Sequence, residues 1–383
     1  MKYRKLGRTD LTVSEIGIGS GVFEKKIDAK LTNDIIDCAL SAGANIIDIY
    51  NAHPEVRSNI GNALKKYDRN KYILQGHFGN IFDSTGQYRR TRLVDEAMFS
   101  YEDFLKRMHV DYVDIEMLHN CDEERDLKDI FEGGLLDKAK ELKRNRNIGY
   151  IGISTHSAKI ARLAAEQGDI DVILFSMNPA YDMMAPDADV FSVGQNKNSS
   201  YTGINPDRAD LYKLCESRDV AITVMKGYAA GLLLSENESP FGRAMNTAQC
   251  IKYCLDRPSV ASVMVGAVSV EEMQKALDYC NASEDDCDYS TFLSTVPGSS
   301  FSGHCMYCGH CAPCTSVIDV AAVNKCLDLA KIQNTVPPTV KEHYAQLEKH
   351  ASDCVECGIC MDNCPFAVDI ISKMQEAVKV FGF

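Results

Sequence analysis

The sequence predicts an α/β protein, a closed (β/α)8 TIM barrel followed by a small, mostly helical, cysteine-rich domain. Three observations predict it. Eight short Ile- and Val-rich runs alternate with helical patterns between residues 15 and 266. The chain has 383 residues, enough for a barrel of about 250 residues and a small module. Eight of its 16 cysteines fall in two tight groups beyond residue 300.

The eight β-rich runs are Glu15–Ser20, Asn45–Tyr50, Lys71–Gly76, Asp111–His119, Gly149–Ser154, Ile170–Ser176, Val220–Lys226 and Val260–Gly266. Each is short and mostly apolar, as a parallel strand covered on both faces must be. Helical spacing of apolar residues fills the intervals, in Leu31–Ala42, Arg57–Lys66, Val94–Met108, Lys128–Leu142, Ala158–Glu166, Leu211–Arg218, Ala248–Leu255 and Val270–Tyr279. Eight repeats of this alternation are the pattern of a closed barrel. An open doubly wound sheet is disfavoured, because no Gly-rich G-x-G-x-x-G turn follows the first strand.

Two stretches interrupt the alternation. Pro186–Asp207 is a polar loop after the sixth strand, which reads either as a lid over the strand ends or as a tolerated insertion. Asn281–Gly303 carries Asp285, Asp286, Asp288 and a Pro-Gly-Ser-Ser run, and reads as a linker. The expected domains are therefore 1–285 for the barrel, 286–302 for the linker and 303–383 for the tail.

Composition removes several classes of function. Basic residues number 41 against 54 acidic, a net charge of −13, and no basic stripe is visible. Binding to nucleic-acid phosphates needs clustered Lys and Arg, so no nucleic-acid partner is expected. No apolar run reaches the roughly 20 residues that span a bilayer, so no membrane partner is expected either. Met1-Lys-Tyr-Arg-Lys is not followed by an apolar segment of the signal-peptide kind, and a cytoplasmic location is expected. A reducing compartment makes 16 cysteines a poor disulfide framework.

The second cysteine group reads Cys354-Val-Glu-Cys357-Gly-Ile-Cys360-Met-Asp-Asn-Cys364-Pro365. This C-x2-C-x2-C-x3-C-P run is the iron–sulfur spacing of bacterial two-cluster proteins, in which the fourth cysteine serves the other cluster. The first group, Cys305-Met-Tyr-Cys308-Gly-His-Cys311-Ala-Pro-Cys314, has only two residues before its last cysteine and no proline after it. The expected assignment is Cys305, Cys308, Cys311 and Cys364 for one 4Fe–4S cluster. Cys354, Cys357, Cys360 and Cys314 then hold the other. Zinc is the alternative, although four-cysteine zinc sites ordinarily use two C-x2-C pairs. Helical patterns at Val317–Ala330 and Val340–His350 make the tail mostly helical, with Cys326 packed in a helix.

The barrel resembles the aldo-keto reductases. Tyr3-Arg-Lys-Leu-Gly-Arg-Thr-Asp-Leu-Thr-Val-Ser-Glu-Ile-Gly-Ile-Gly-Ser is similar to that family's N-terminal hairpin and first strand. Asn45-Ile-Ile-Asp48, Asp111-Tyr-Val-Asp-Ile-Glu-Met-Leu-His119, Ile151-Gly-Ile-Ser154-Thr155-His156 and Val263-Met-Val-Gly266-Ala match in the same order. The tail resembles the ferredoxin-like extension of a bacterial and archaeal subgroup. The family works with an Asp–Tyr–Lys–His tetrad. The resemblance assigns Asp48 and His119 to its Asp and His, places His77 where the Lys stands, and places His53 where the Tyr stands. Tyr50 lies two residues from Asp48 and points to the same side if the strand persists. Asp48 could keep His77 protonated, and His53 or Tyr50 would then be the proton donor. A metal bound by the three histidines and the carboxylate is one alternative reading, and polar rim residues without a catalytic role are another.

The resemblance also implies a nicotinamide site, in altered form. Ser154 matches, Asn178 fits a common position, and the family's pyrophosphate loop falls on Gly227–Gly231. Gly266 and Ser269 follow the eighth strand, with Val268 where a basic residue usually takes the 2′-phosphate. NADPH is disfavoured, because charge-assisted bonds to that phosphate are missing; NAD(H) is not. The expected function is an iron–sulfur oxidoreductase acting on a small organic molecule at the barrel mouth, with a ferredoxin-type electron donor or acceptor. The rival readings are a barrel doing non-redox acid–base chemistry beside structural clusters, and a redox partner or sensor without a substrate.

Overall fold

The computed structural model describes residues 1–83, 85–184, 193, 204–295, 302–332 and 335–383. Most of the polar loop after the sixth strand, and with it the lid reading, lies outside the described residues, as does the Pro-Gly-Ser-Ser part of the linker. The chain divides into two compact units. One comprises residues 1–177, 220–227 and 260–282, and the other comprises 178–219, 228–259 and 283–383.

The first unit opens with the antiparallel hairpin β1 (Tyr3–Lys5) and β2 (Thr12–Ser14). Then come β3 (Ile16–Gly19), helix α1 (Ala29–Ser41), β4 (Ile46–Asp48), α2 (Pro54–Leu64) and β5 (Ile73–Phe78). A second hairpin follows, β6 (Asn80–Phe82) with β7 (Tyr88–Arg90), and leads into α3 (Val94–Met108) and β8 (Val113–Leu118). Helices α4 (Glu124–Glu132) and α5 (Leu135–Arg144), β9 (Ile148–Thr155), α6 (Ala158–Glu166) and β10 (Val172–Ser176) continue the alternation.

Helices α7 (Pro179–Asp182) and α8 (Pro206–Ser217) precede β11 (Ala221–Met225), and α9 (Thr247–Leu255) precedes β12 (Val260–Val265) and α10 (Val270–Leu277). The strands close in the order β10-β11-β12-β3-β4-β5-β8-β9, all parallel. All eight barrel strands coincide with the runs read from the sequence.

The barrel interior is filled in layers. Ile46, Ile73, Ile115, Val172 and Leu174 are among its buried members, and Leu6 and Val13 join them from the hairpin. Burying each such branched side chain contributes about 1.5–3 kcal/mol. Arg4 of β1 bonds Glu15 Oε1 at 2.8 Å, which ties the hairpin to the start of β3. Toward the strand ends the inward positions turn polar, and this change makes the site.

One helix prediction needs correction. Lys128–Leu142 is two helices, because Gly133-Gly134 breaks the amphipathic pattern and Gly134 has φ +94°. The left-handed region admits glycine without the steric cost that a side chain would bring.

The second unit holds α7, α8, α9 and the tail helices α11 (Tyr289–Ser294), α12 (Val320–Ala330), α13 (Pro338–Ala345), α14 (Ile359–Asp362) and α15 (Ile370–Phe381). Helix α11 lies within the stretch read as linker. Helix α12 packs on α8, α13 and α15. A buried Asp182 carboxylate organises α7 to α9. It accepts from Arg208 Nε at 2.7 Å, Tyr212 at 2.5 Å and Tyr253 at 2.8 Å. Hydrogen bonds to a charged acceptor of this kind contribute about 1.5–3 kcal/mol each.

Candidate active site and cysteine cavities

The barrel site grows from register. Alternate residues of a strand face the same way, so Ile46 and Asp48 of β4 and Ile73, Gln75 and His77 of β5 point inward. Ile46 pairs with Ile73 and Asp48 with Gln75, while His77 pairs with Met117 of β8. One more step beyond β8 brings His119 to the same mouth. Asp48, His77 and His119 are all buried, at 5%, 4% and 5% exposure.

These side chains form a single hydrogen-bonded chain. Asp48 Oδ1 lies 2.9 Å from His77 Nε2 and accepts from Gln75 Nε2 at 2.7 Å. Thr223 holds Gln75 in turn, at 3.2 Å. His77 Nδ1 lies 2.7 Å from His119 Nδ1. His119 Nε2 meets the hydroxyl of Tyr88, which arrives on β7 of the inserted hairpin. The sequence reading missed Tyr88.

The hydrogen positions follow from the partners. In the neutral chain Tyr88 O–H donates to His119 Nε2, His119 Nδ1–H donates to His77 Nδ1, and His77 Nε2–H donates to the carboxylate. Burial, with the charges of His77, Arg92, Arg90 and His156, pushes His119 well below the usual imidazole range. Burial pushes the Tyr88 phenol up to about 12, with Arg90 and Arg92 opposing. Both effects favour this neutral arrangement. Tyr88 is 42% exposed, so the chain runs from a buried carboxylate to a group that solvent and ligands can reach.

Tyr50 and His53 take different places. The Tyr50 ring lies parallel to His119 at 6.2 Å and edge-on to His77 at 6.3 Å. Burial and then the Glu24 charge raise its phenol to about 12. His53 is the N-cap of α2. Its Nδ1 accepts from Glu55 N at 3.2 Å, and its ring sits 4.7 Å from Phe82. The structure therefore places His53 as a helix cap against an aromatic ring, and Asp48, His77, His119 and Tyr88 as the connected set.

The residues implied for a nicotinamide are mostly committed to the backbone. Ser154 Oγ accepts from Asn120 N at 2.7 Å, and its hydroxyl can still donate one bond to a carboxamide oxygen. Asn178 is buried and caps α7 by accepting from Tyr181 N at 2.9 Å. Gly227 precedes a turn in which Gly231 has φ +97°. At Gly266 a Cβ would come within 2.9 Å of Val22 Cγ1. Ser269 caps α10, and Glu272 Oε2 takes the Val268 amide at 2.9 Å. The Val268 amide is thereby taken by an acid.

In the second unit the eight tail cysteines surround two cavities. Cys305, Cys308, Cys311 and Cys364 line one. Cys314, Cys354, Cys357 and Cys360 line the other. Each cavity therefore takes three cysteines from one run and the fourth from the other. The sulfurs accept weak hydrogen bonds. Asn324 Nδ2 reaches Cys305 Sγ at 3.6 Å, Glu356 N reaches Cys354 Sγ at 3.4 Å, and Thr315 Oγ1 lies 3.3 Å from Cys357 Sγ.

The first run is pinned by Arg257, whose guanidinium donates to the Met306 carbonyl and to Tyr289 at 3.1 Å. Tyr307 bonds Asp328 at 2.8 Å on the other side. Burial and neighbouring thiols push Cys311 up to about 12. Among the described residues no group of three or more His, Cys, Asp or Glu is drawn together as ligands of a single metal ion. Four soft sulfurs around a cavity, with donors aimed at them, suit an inorganic cluster, and loading it would release the thiol protons.

A parallel eight-stranded barrel with a polar constellation at its strand ends carries its site where (β/α)8 enzymes carry theirs. The chain belongs to the aldo/keto reductase family, whose model matches residues 15–249. Members of that family are oxidoreductases that use nicotinamide cofactors. A Bacillus subtilis protein described as the uncharacterized oxidoreductase YqkF is 26% identical over 316 residues, 74% of this chain and 92% of its own. The NADH-specific methylglyoxal reductase of Escherichia coli is 26% identical over 190 residues, 45% of this chain and 58% of its own. The holo form of aldo-keto reductase AKR11C1 from Bacillus halodurans has the same fold. Its TM-score is 0.59 at 23% identity, covering 74% of this chain and 92% of that one. Among the described residues no helix is long and apolar enough to cross a membrane.

Proposed function

We propose that this protein is an iron–sulfur oxidoreductase of aldo/keto reductase type, in which two 4Fe–4S clusters serve the redox chemistry of a small organic substrate at the barrel mouth. The observation that carries the proposal is the division of the tail cysteines into two sets of four, each lining its own cavity. When bound, the clusters supply single electrons, and a one-electron carrier would exchange them.

The barrel residues supply the proton. With one extra proton on the chain, every bond between His77 and Tyr88 reverses direction. His77 Nδ1–H then donates to His119, and His119 Nε2–H donates to the Tyr88 oxygen. Tyr88 gives its own hydrogen to a substrate oxygen and is refilled from His119. Asp48 holds the positive imidazole of His77 in place while it waits. In this sense His77 stands in for the family's ammonium, and Tyr88 supplies the phenol from a different segment. Ser154 is the residue that would hold a nicotinamide carboxamide, and NAD(H) is the dinucleotide that the residues after the eighth strand can take.

One observation favours a second reading. His77 and His119 are buried and bonded to each other and to their neighbours, as residues of a redox partner or sensor with no substrate would be. Anaerobic purification with iron, sulfide, zinc and released-nucleotide analysis tests the proposal, followed by reduction of small dicarbonyls by the loaded protein. About eight iron atoms per chain and turnover that falls in Tyr88→Phe are expected. Zinc in place of iron, or an iron-loaded protein inert toward every carbonyl, would overturn it.

A further inference from the structure

The two cysteine cavities differ in what surrounds them. The Cys305 set is backed by the buried Met306, Asn324, Phe366 and Ile370, and none of its four cysteines is exposed. The other set has Cys357 exposed at the surface. Two large apolar side chains stand beside it in solvent, and a third, Val317, follows Cys314 by three residues. Val317 is 75% exposed, Val355 64% and Ile359 42%. Val355 and Ile359 line the cavity itself. Scattered exposed aliphatics need no explanation, but a collar of them around one functional group does.

The two segments that carry this set are acidic. Residues 311–320 and 351–370, which carry this set and its rim, contain Asp319, Asp353, Glu356, Asp362 and Asp369, and no Lys, Arg or His. Among the described residues only Asp353 of these five forms a salt bridge, to Lys349 at 3.2 Å. Glu356 and Asp362 are exposed beside the cavity-lining residues. An iron–sulfur group held by four thiolates adds further negative charge.

We propose that the face around Cys357 is the docking surface for a one-electron carrier protein that presents a basic rim around its own redox centre. The inference rests on the iron–sulfur reading above and deepens it by naming the partner's chemistry. The apolar collar provides the dry centre of a small transient interface, and the carboxylates steer and orient the carrier. Exchange moves one electron. The carrier gains it and the loaded protein loses it, or the reverse, with no bond made and no proton transferred. A ferredoxin-type partner fits only if its rim is basic, since like charges facing each other oppose docking.

The test uses the full-length protein prepared anaerobically, with basic cytochrome c and an acidic plant-type ferredoxin as probes. Glu356→Lys with Asp362→Lys is expected to lower the second-order rate of electron transfer to cytochrome c at low salt by about tenfold. It should also weaken binding of reduced cytochrome c, read by calorimetry, by a similar factor. The same change should speed exchange with the acidic ferredoxin. Val355→Ser with Ile359→Ser is expected to slow exchange with cytochrome c. A control in the other unit, Glu132→Lys on α4, should leave all rates within about twofold. Iron content and visible absorbance report that the variants keep their clusters. Cytochrome c exchange and binding unchanged in the lysine variant, with iron retained, would overturn the docking surface alone. A protein without iron would overturn the iron–sulfur reading itself, and the docking surface with it.

Discussion

His77 and His119 face each other through their Nδ1 atoms at 2.7 Å. Two imidazole nitrogens at that distance share one hydrogen, so the pair cannot both be donors or both acceptors. Their outer nitrogens are committed as well, one to Asp48 and the other to Tyr88. The carboxylate, which only accepts, therefore fixes the tautomers of both neutral rings from its end of the chain.

The first prediction is that tautomer pattern. Long-range 1H–15N correlation of the resting protein should show His77 protonated at Nε2 and His119 at Nδ1. Tyr88→Phe should shift the His119 Nε2 resonance and lower kcat on a carbonyl substrate by about 10²–10³-fold, the range of a lost proton donor. A His119 ring protonated at Nε2 in the resting state would sink the directional chain.

Asp48→Ala should be costly for folding as well as for chemistry. It removes the acceptor of both Gln75 and His77 and leaves two buried donors without their partner. At about 1–3 kcal/mol for each unsatisfied group, urea unfolding should show a loss of roughly 2–6 kcal/mol. Asp48→Asn keeps one acceptor oxygen and should lose less. Equal losses in the two variants would contradict the bonding described.

Glu116 gives a pH prediction. It is buried on β8, and its carboxyl is pushed up to about 8 by burial, against the opposing charge of Arg57. Gly76 makes room for it on β5, where a Cβ would stand 2.7 Å from Glu116 Oε2. Between about pH 4.5 and 8 the folded state keeps this proton and the unfolded chain has released it. Stability from this group therefore falls as pH rises through that window. Glu116→Gln should remove the slope, gaining on the wild type by up to ~1.4 kcal/mol per pH unit. A stability difference between the two proteins that is flat from pH 5 to pH 8 would count against a protonated Glu116.

The cysteine pairing can be tested by combination. Cys311→Ser and Cys364→Ser each remove one lining residue of the same cavity, so the double variant should lose no more iron than either single one. Cys311→Ser with Cys314→Ser strikes both cavities, although the two residues are neighbours in sequence. That pair should lose about twice as much iron. Additive losses for Cys311 and Cys364 would reverse the assignment.

Much of the fold could be read beforehand, for identifiable reasons. Strands buried on both faces are continuous apolar runs, and all eight stood out. The break between α4 and α5 was hidden, because Gly133-Gly134 sits inside an otherwise amphipathic pattern. The crossed cysteine sets followed from ligand spacing. His53 was misplaced by counting from Asp48, although the local signal was available. A proline at the next position and Glu55 in the first turn mark a helix start. Tyr88 carried no signal. It lies in the polar stretch Tyr88-Arg89-Arg90, and only the fold of the hairpin brings its hydroxyl to His119.

The crossed lining of the two cavities has a consequence for how the tail is assembled. Each ring of sulfurs is closed by a residue from the other run, so the halves clasp each other like two hooks. The first run cannot close its own ring until the second run is made, and a nascent chain that has emitted Cys360 but not Cys364 can complete the Cys314 ring and not the Cys305 ring. Loss of the chain from Cys364 onward would thus open the Cys305 ring alone, whereas loss from Cys354 onward would open both.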